Sequence, residues 1–327
     1  MTYTDTASRL DTLDETTQEQ GKILVGIGDL HGHLLALERL MEGLDEEYGI
    51  FEDRHLLRLN KGVEIVFTGD YIDRGNNALG VIDALRDLEE VNPTAVRRLF
   101  GNHELMALSC KPLAQTIACF PPEEEGQMFT AYAQGVHGRN GGVAFVKEFG
   151  VTPKEAFESY TRRIARNGDI GKWMRSLKPL HLARIGSKRV LFVHGGIPHQ
   201  LDGCSLLENY LFDFDEHLRG GTTRTYGGAK RRYVEDEKVG RHSIFWDRRI
   251  PDMQKQELEQ ITKSLDVNHI VIGHTPQRVI QNYFGLAFNV DVGMSPVYGE
   301  NEPAAVVFKE RGVYAFYVEK GERRLVG

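Results

Sequence analysis

Short runs of β-branched and other apolar residues recur along the chain, and five of them end alike, in glycine beside a polar residue: ILVGIGD at 23–29, EIVFTGD at 64–70, VRRLFGNHE at 96–104, RVLFVHGG at 189–196 and HIVIGHT at 269–275. Each predicts a buried strand whose last residues turn out of the sheet, glycine permitting the tight exit. Between the early runs the period changes. Leu34, Leu37, Leu40, Met41 and Leu44 recur at helical spacing, and ALGVIDALRDLEEV from Ala78 follows the same pattern, so each helix turns one face to a sheet. Strand, helix, strand in that order predicts βαβ units in the N-terminal half. Three later runs, LAFNVDVG at 286–293, AAVVFK at 304–309 and VYAFYVE at 313–319, have no long helix between them. They predict a closing meander and a second, more antiparallel sheet.

From Leu105 to about Lys188 no strong strand pattern appears, and amphipathic stretches predict a mostly helical insertion, 105–188, over the C-terminal edge of the sheet. Such a cover either shapes substrate access or simply fills surface. The whole chain, 1–327, is expected to form a single domain. Residues 1–21 are read as a polar tail or short surface helix, and the Gly-rich stretch GGTTRTYGGAKRRYVEDEK from Gly220 as a mobile surface loop.

Composition narrows the partners. Forty Lys and Arg against 47 Asp and Glu leave a formal net charge of −7, which lacks the broad basic surface of nucleic-acid binding. Cys110, Cys119 and Cys204 are sparse, odd in number and form no C-x-x-C pair, which argues against a disulfide framework and fits a reducing compartment. The first residues carry no basic and apolar leader pattern, and no apolar run reaches the ~20 residues a membrane span needs. A cytoplasmic protein without membrane or nucleic-acid partners is expected.

The strand exits carry the candidate chemistry: Asp29 and His31; Asp70, Asp73 and Arg74; Asn102, His103 and Glu104; His194; His274. Singly, an Asp after a strand is usually a turn former or helix cap, and a His on an apolar strand a satisfied core residue. Together they differ, because strand C-termini of an open α/β sheet converge on one crevice. Buried carboxylates and imidazoles need compensation. Oxygen and nitrogen donors without thiolate suit Mn, Fe, Zn or Mg. The donors exceed the three or so that one catalytic ion takes, which points to two metals sharing a carboxylate, a recurrent arrangement for phosphoester displacement.

GDLHG at 28–32, GDYIDRG at 69–75, GNHE at 101–104, HGG at 194–196 and GHT at 273–275 resemble, in order and rough separation, the signature of the phosphoprotein phosphatase family of metallophosphoesterases. The resemblance implies an α/β fold of four layers, αββα, in which two mixed β-sheets pack as a central sandwich flanked by helices. It implies that Asp29, His31 and Asp70 hold one divalent ion and that Asp70, Asn102, His194 and His274 hold the other, with Asp70 bridging. Mn is the first expectation for both ions, with Fe, Zn or Mg as alternatives. A hydroxide shared by the ions would attack phosphorus in line. Arg74 would grip the phosphoryl oxygens, His103 would protonate the departing alkoxide, Asp73 would orient His103, and Glu104 would support the ligands.

SIFWDRR at 243–249 resembles the W-x-R element of bacterial relatives and points to Arg248 as a second phosphate-binding arginine, with Arg249, Arg231 and Arg232 as competitors. NVDVGMSPVYGE at 289–300 resembles the segment after GHT in bacterial members, which puts Tyr298 either at the rim of the site or in packing. RNGGVAFVKEFG at 139–150 resembles bacterial phosphatases and symmetrical diadenosine tetraphosphatases and departs from eukaryotic catalytic subunits. Histidines outside the motifs, His137 among them, are read as surface or structural, with a supporting role open for His33.

The leading expectation is a serine/threonine protein phosphatase that also hydrolyses small phosphomonoesters. Hydrolysis of dinucleoside polyphosphates such as diadenosine tetraphosphate shares the same metal centre and stays open. A phosphate-binding scaffold without activity is the alternative from another class, but it would be marked by loss of a ligand or of His103, and none is missing.

Overall fold

A computed structural model describes residues 23–53, 57–198 and 243–326. The apolar runs become strands β1 (Ile23–Ile27), β2 (Phe51–Asp53), β3 (Arg58–Leu59), β4 (Val63–Phe67) and β5 (Val96–Arg98). They continue through β6 (Leu180–Ile185), β7 (Lys188–Val193), β8 (His269–Ile272), β9 (Gln281–Tyr283) and β10 (Ala287–Asn289) to β11 (Ala304–Lys309), β12 (Gly312–Tyr317) and β13 (Gly321–Val326). Helices α1 (Leu34–Tyr48) and α2 (Ala78–Val91) make the two early crossovers, and α3 (Asn102–Ser109) opens directly on the GNHE motif.

Two mixed sheets result. The first has the order β13-β12-β11-β1-β4-β5, with β1, β4 and β5 parallel and β11 antiparallel to β1. The second has the order β6-β7-β8-β10-β9, with β7, β8 and β10 parallel. The closing meander therefore joins the first sheet through β11 instead of building a separate one. The 286–293 run leaves it altogether: its strand, β10, pairs beside β8 in the second sheet. The antiparallel β1–β11 ladder and the parallel β8–β10 ladder decide this, and apolar periodicity alone does not reveal it.

The sheets face each other across a layer of buried apolar side chains. Phe308 of β11 packs edge-on against Phe192 of β7 and Phe288 of β10, ring centroids 6.4 and 5.6 Å apart. On the other side of the first sheet, Tyr48 of α1 packs on Phe316 of β12 at 5.7 Å. The stripe predicted for α1 is buried at Leu37, Leu40 and Leu44, while Leu34 and Met41 are covered only in part. Each fully buried leucine stabilises the pair of layers by about 1.5–3 kcal/mol.

The insertion is helical from Asn102 to Ser176, but its end differs from the expectation. Leu180–Ile185 forms β6, paired with β7 over its full length, where the sequence reading extended helix to 188. The strand lies between Pro179 and Gly186. Its alternation is broken by Ala183, which weakens the strand signal. The insertion has an aromatic core of its own, with Tyr132, Phe145, Phe157 and Tyr160 fully buried. Among the described residues no helix is long and apolar enough to cross a membrane. Residues 1–21, the 220–238 stretch with Arg231 and Arg232, and Cys204 lie outside the described residues.

Candidate active site

The parallel strands deliver their C-terminal residues to one place. Asp29 and His31 follow β1, Asp70 follows β4, Asn102 and His103 follow β5, His194 follows β7 and His274 follows β8, all at most 4% exposed. Backbone strain marks the same place. His31, Asp70, Asp73, Arg74 and His274 all have left-handed backbones, with φ of 42°, 55°, 71°, 65° and 66°. Non-glycine residues pay about 1–3 kcal/mol for such geometry, and it persists where surrounding contacts over-determine it. Glycine is demanded at Gly101, where a Cβ would lie 2.0 Å from Asp70 Oδ1.

Glu104 supplies much of the over-determination. Its carboxylate accepts the backbone N–H groups of Asp70, Tyr71 and Gly101 at 3.1, 2.8 and 2.9 Å, tying the start of α3 to the loop after β4. The amides of Leu30 and His31 donate to Asp70 O, which locks the first motif to the second. Asp70 Oδ1 accepts the His103 amide at 2.9 Å.

Three imidazoles are aimed by the hydrogen bond on their Nδ1. His31 Nδ1 pairs with Ile72 O at 2.9 Å, His194 Nδ1 with Thr68 O at 2.9 Å and His103 Nδ1 with Asp73 Oδ2 at 2.6 Å. With Nδ1–H donating to these oxygens, each Nε2 lone pair faces the centre. Asp70 Oδ2 lies there, 3.7, 3.4 and 3.8 Å from the Nε2 of His31, His194 and His103. Asn102 Oδ1 is 3.0 Å from His194 Nε2. Asp29 accepts the His274 amide, and its Oδ2 lies 4.0 Å from His31 Nε2.

This donor set fits divalent cations. His31, Asp70 and His103 form one group whose ligand atoms lie within 4.8 Å of one another, and Asp70, His194 and His274 form another. His274 Nε2 is buried without a hydrogen-bond partner, a state that an imidazole facing a metal satisfies and that otherwise costs free energy. Burial, with the charge of His103 and Arg74 nearby, holds His31 down to about 3; burial, with His194 and Arg248, also lowers His274 well below the usual range. Both are then in the neutral, ligating form. The carboxyls are crowded instead. Burial, then Asp291 and Asp70, push Asp29 well up, and burial and Asp70 push Glu104 up to about 8. Cations would relieve that crowding.

Arg74 and Tyr298 frame the open side. Arg74 donates to His103 Nε2 at 2.9 Å and to the hydroxyl of Tyr298, with its guanidinium carbon 5.3 Å from the tyrosine ring centre. Tyr298 thus belongs to the rim. Arg248 is exposed, 3.5 Å from Thr275 Oγ1 and close enough to lower His274. Its neighbour Arg249 is held away by Asp247 and by Ile197 O, so of the two it is Arg248 that faces the site.

Two buried residues beside the site escape the motif reading. Asp291, 1% exposed, follows β10 and is pushed up to about 6 by burial, its own charge raising Asp29. Its signal is the same strand-then-polar exit, hidden because its run reads as part of the closing meander. His137, from the insertion, lies 2.9 Å from Asp73 Oδ1. His33, by contrast, fastens the loop after β10 by donating from Nδ1 to Met294 O at 2.6 Å.

The family model described as calcineurin-like phosphoesterase matches residues 23–278. Among solved structures, the cold-active protein-tyrosine phosphatase of a psychrophilic Shewanella species is 21% identical, with a TM-score of 0.63, over 93% of this chain and 80% of that one. A protein serine/threonine phosphatase from Saccharomyces cerevisiae is 15% identical, with a TM-score of 0.50, over 94% of this chain and 82% of that one. At these identities the likeness is one of fold. No curated protein matches the sequence.

Proposed function

The chain belongs to the calcineurin-like phosphoesterase family, and on that premise we propose that it is a two-metal phosphomonoesterase acting on phosphoserine and phosphothreonine in proteins and on small phosphomonoesters. Asp29, His31 and Asp70 would hold one ion, and Asp70, Asn102, His194 and His274 the other, Mn being the first candidate. When bound, such ions supply Lewis-acid stabilisation of the phosphoryl group and lower the pKa of a water from 15.7 to about 7.

The observation that carries the reading is the pair His103 and Asp73. A serine or threonine alkoxide is a poor leaving group, so cleavage of its P–O bond needs a proton delivered to the departing oxygen. His103 Nδ1 rests on a carboxylate that is fully buried, while Nε2 faces the centre. Burial pushes Asp73 up, but His137 and His103 together bring it down to about 2, so it stays an anion and holds the ring by Nδ1. As an acid, His103 carries its proton on Nε2 and passes it to the alkoxide as the bond to phosphorus breaks. That proton displaces the contact from Arg74, whose donors then turn to the phosphoryl oxygens, where charge builds in the transition state. Arg248 would add a second cation from beside His274 and Thr275.

Turnover of phosphoserine, phosphothreonine and phosphotyrosine peptides, measured beside diadenosine tetraphosphate with Mn, Fe, Zn or Mg supplied after chelation, tests the reading. The phosphoserine and phosphothreonine peptides should lead. A preference for the dinucleotide by orders of magnitude would replace the substrate, and no hydrolysis with any metal would leave only a phosphate-binding scaffold.

A further inference from the structure

Asp73 has no exposed surface, and each of its oxygens meets one imidazole: Oδ2 that of His103 at 2.6 Å, Oδ1 that of His137 at 2.9 Å. His137 is itself fully buried, and its second nitrogen faces the Tyr132 hydroxyl at 2.7 Å. Tyr132 in turn packs edge-on against Phe157 and Tyr160, centroids 5.3 and 6.3 Å away. The chain His103–Asp73–His137–Tyr132 thus runs from the reacting centre into the aromatic core of the insertion.

The same turn holds the neighbouring residue. Gly141, at φ 102°, presents its carbonyl to the Arg74 amide at 3.3 Å, and a Cβ there would lie 2.7 Å from Arg74 Cγ. Among the described residues, Asp73 and Arg74 are consecutive non-glycine residues that both have left-handed backbones. One segment, 137–142, grips both, the first through its side chain and the second through its main chain.

We propose that His137 is a positioning residue for the proton donor: through Asp73 it fixes the orientation of His103. This rests on the phosphomonoesterase reading above. Without the His137 N–H, one oxygen of a buried carboxylate has no donor, and such a group turns or takes up a proton to satisfy itself. Either change weakens the acceptor that holds His103 Nδ1. A histidine that merely filled space would act on every substrate alike. A histidine acting through the proton donor matters where the leaving group needs a proton and little where it does not.

The test uses the full chain loaded with Mn(II) and two esters, phenyl phosphate, whose phenolate leaves poorly, and 2,4-dinitrophenyl phosphate, whose phenolate leaves unaided. His137→Phe should lower kcat on phenyl phosphate by about tenfold or more, the scale on which outer partners of an active histidine act. It should leave kcat on the dinitrophenyl ester, and the metal content, unchanged. His137→Gln, which can still place an N–H near Asp73, should recover part of the loss. An equal fall on both esters, or no fall on either, overturns the proposal. Should the phenylalanine variant fail to fold, Tyr132→Phe decides: a smaller fall confined to phenyl phosphate supports the role, and any other outcome overturns it. A parent protein inert toward both esters would bring down the phosphomonoesterase reading, and this inference with it, whereas a parent active on both leaves that reading standing whatever the variants do.

Discussion

Asp29 accepts the backbone amide of His274, 245 residues farther along the chain, with its two oxygens 3.1 and 3.2 Å from the nitrogen. One residue leaves the first sheet and the other the second. The hydrogen bonds close the sandwich at the end where parallel strands of both sheets terminate, so the candidate site and the docking of the two sheets share residues. The geometry of that site is therefore built into the core and does not depend on loops alone.

Removing the proton donor should separate chemistry from metal binding. His103→Ala is expected to reduce kcat on a phosphoserine peptide by about 10²–10⁴, the usual worth of a positioned acid. Metal analysis of the purified variant should match the parent, because Asp29, His31, Asp70, Asn102, His194 and His274 all remain. Turnover like the parent's would remove His103 from its assigned role.

Asp70 should behave differently. Its carboxylate faces the Nε2 atoms of three histidines, so Asp70→Ala deletes the one donor common to both ion sites. Activity should disappear together with bound metal, which elemental analysis would show. Retention of full metal content would deny the bridging role.

The two adjacent arginines should part company. Arg248→Ala is expected to lower kcat/KM by about tenfold or more, the worth of one charge-assisted hydrogen bond to a phosphate, with the melting temperature unchanged. Arg249 is paired with Asp247 and with Ile197 O, so Arg249→Ala should lower the melting temperature and spare kcat/KM. The reverse pattern would exchange their assignments.

The buried carboxyls give the metal-free protein a pH dependence of definite sign. Glu104 is raised from 4.5 to about 8 by burial and Asp70, and Asp291 is raised to about 6 chiefly by burial. A raised acid binds its proton more tightly when folded, so its contribution is complete below its unfolded value and is lost as pH climbs through the folded one. His31, lowered from 6.5 to about 3, acts oppositely, but its effect is finished above pH 6.5. Between about 6.5 and 8 the carboxyls act, and His194, raised by Asp70 against its burial, acts in the same direction, so the chelated protein should melt at lower temperature at pH 8 than at pH 6.5. Adding a divalent metal should remove that fall. Equal melting at the two pH values under chelation would show that the carboxyls titrate normally.

Much of the site could be read from the sequence because its signal is local. Asp29, Asp70, Asn102, His194 and His274 each follow an apolar run and a glycine or a strand end, and parallel strands must release such residues at one edge. The crossover helices are equally plain, since α2 buries its apolar stripe and α1 buries Leu37, Leu40 and Leu44 of its own. What stayed hidden depends on pairing between distant segments. Asp291 has the same local signal, but seeing it as a sixth exit requires knowing that β10 pairs with β8 and not with β11. His137 has no local signal at all: it lies in a helical segment, and its partner Asp73 is 64 residues away. The meander's place in the first sheet likewise rests on the β1–β11 ladder, which no periodicity specifies. The part of the site that supports the chemistry was therefore harder to read than the part that performs it.

The pair of ions at Asp70 is the centre of the account, and anomalous X-ray scattering from crystals of the Mn(II)-loaded protein tests it most directly. Two peaks are expected on either side of the Asp70 carboxylate, one against Asp29 and His31 and one against Asn102, His194 and His274. A single peak, or peaks away from Asp70 in a fully loaded crystal, would contradict it.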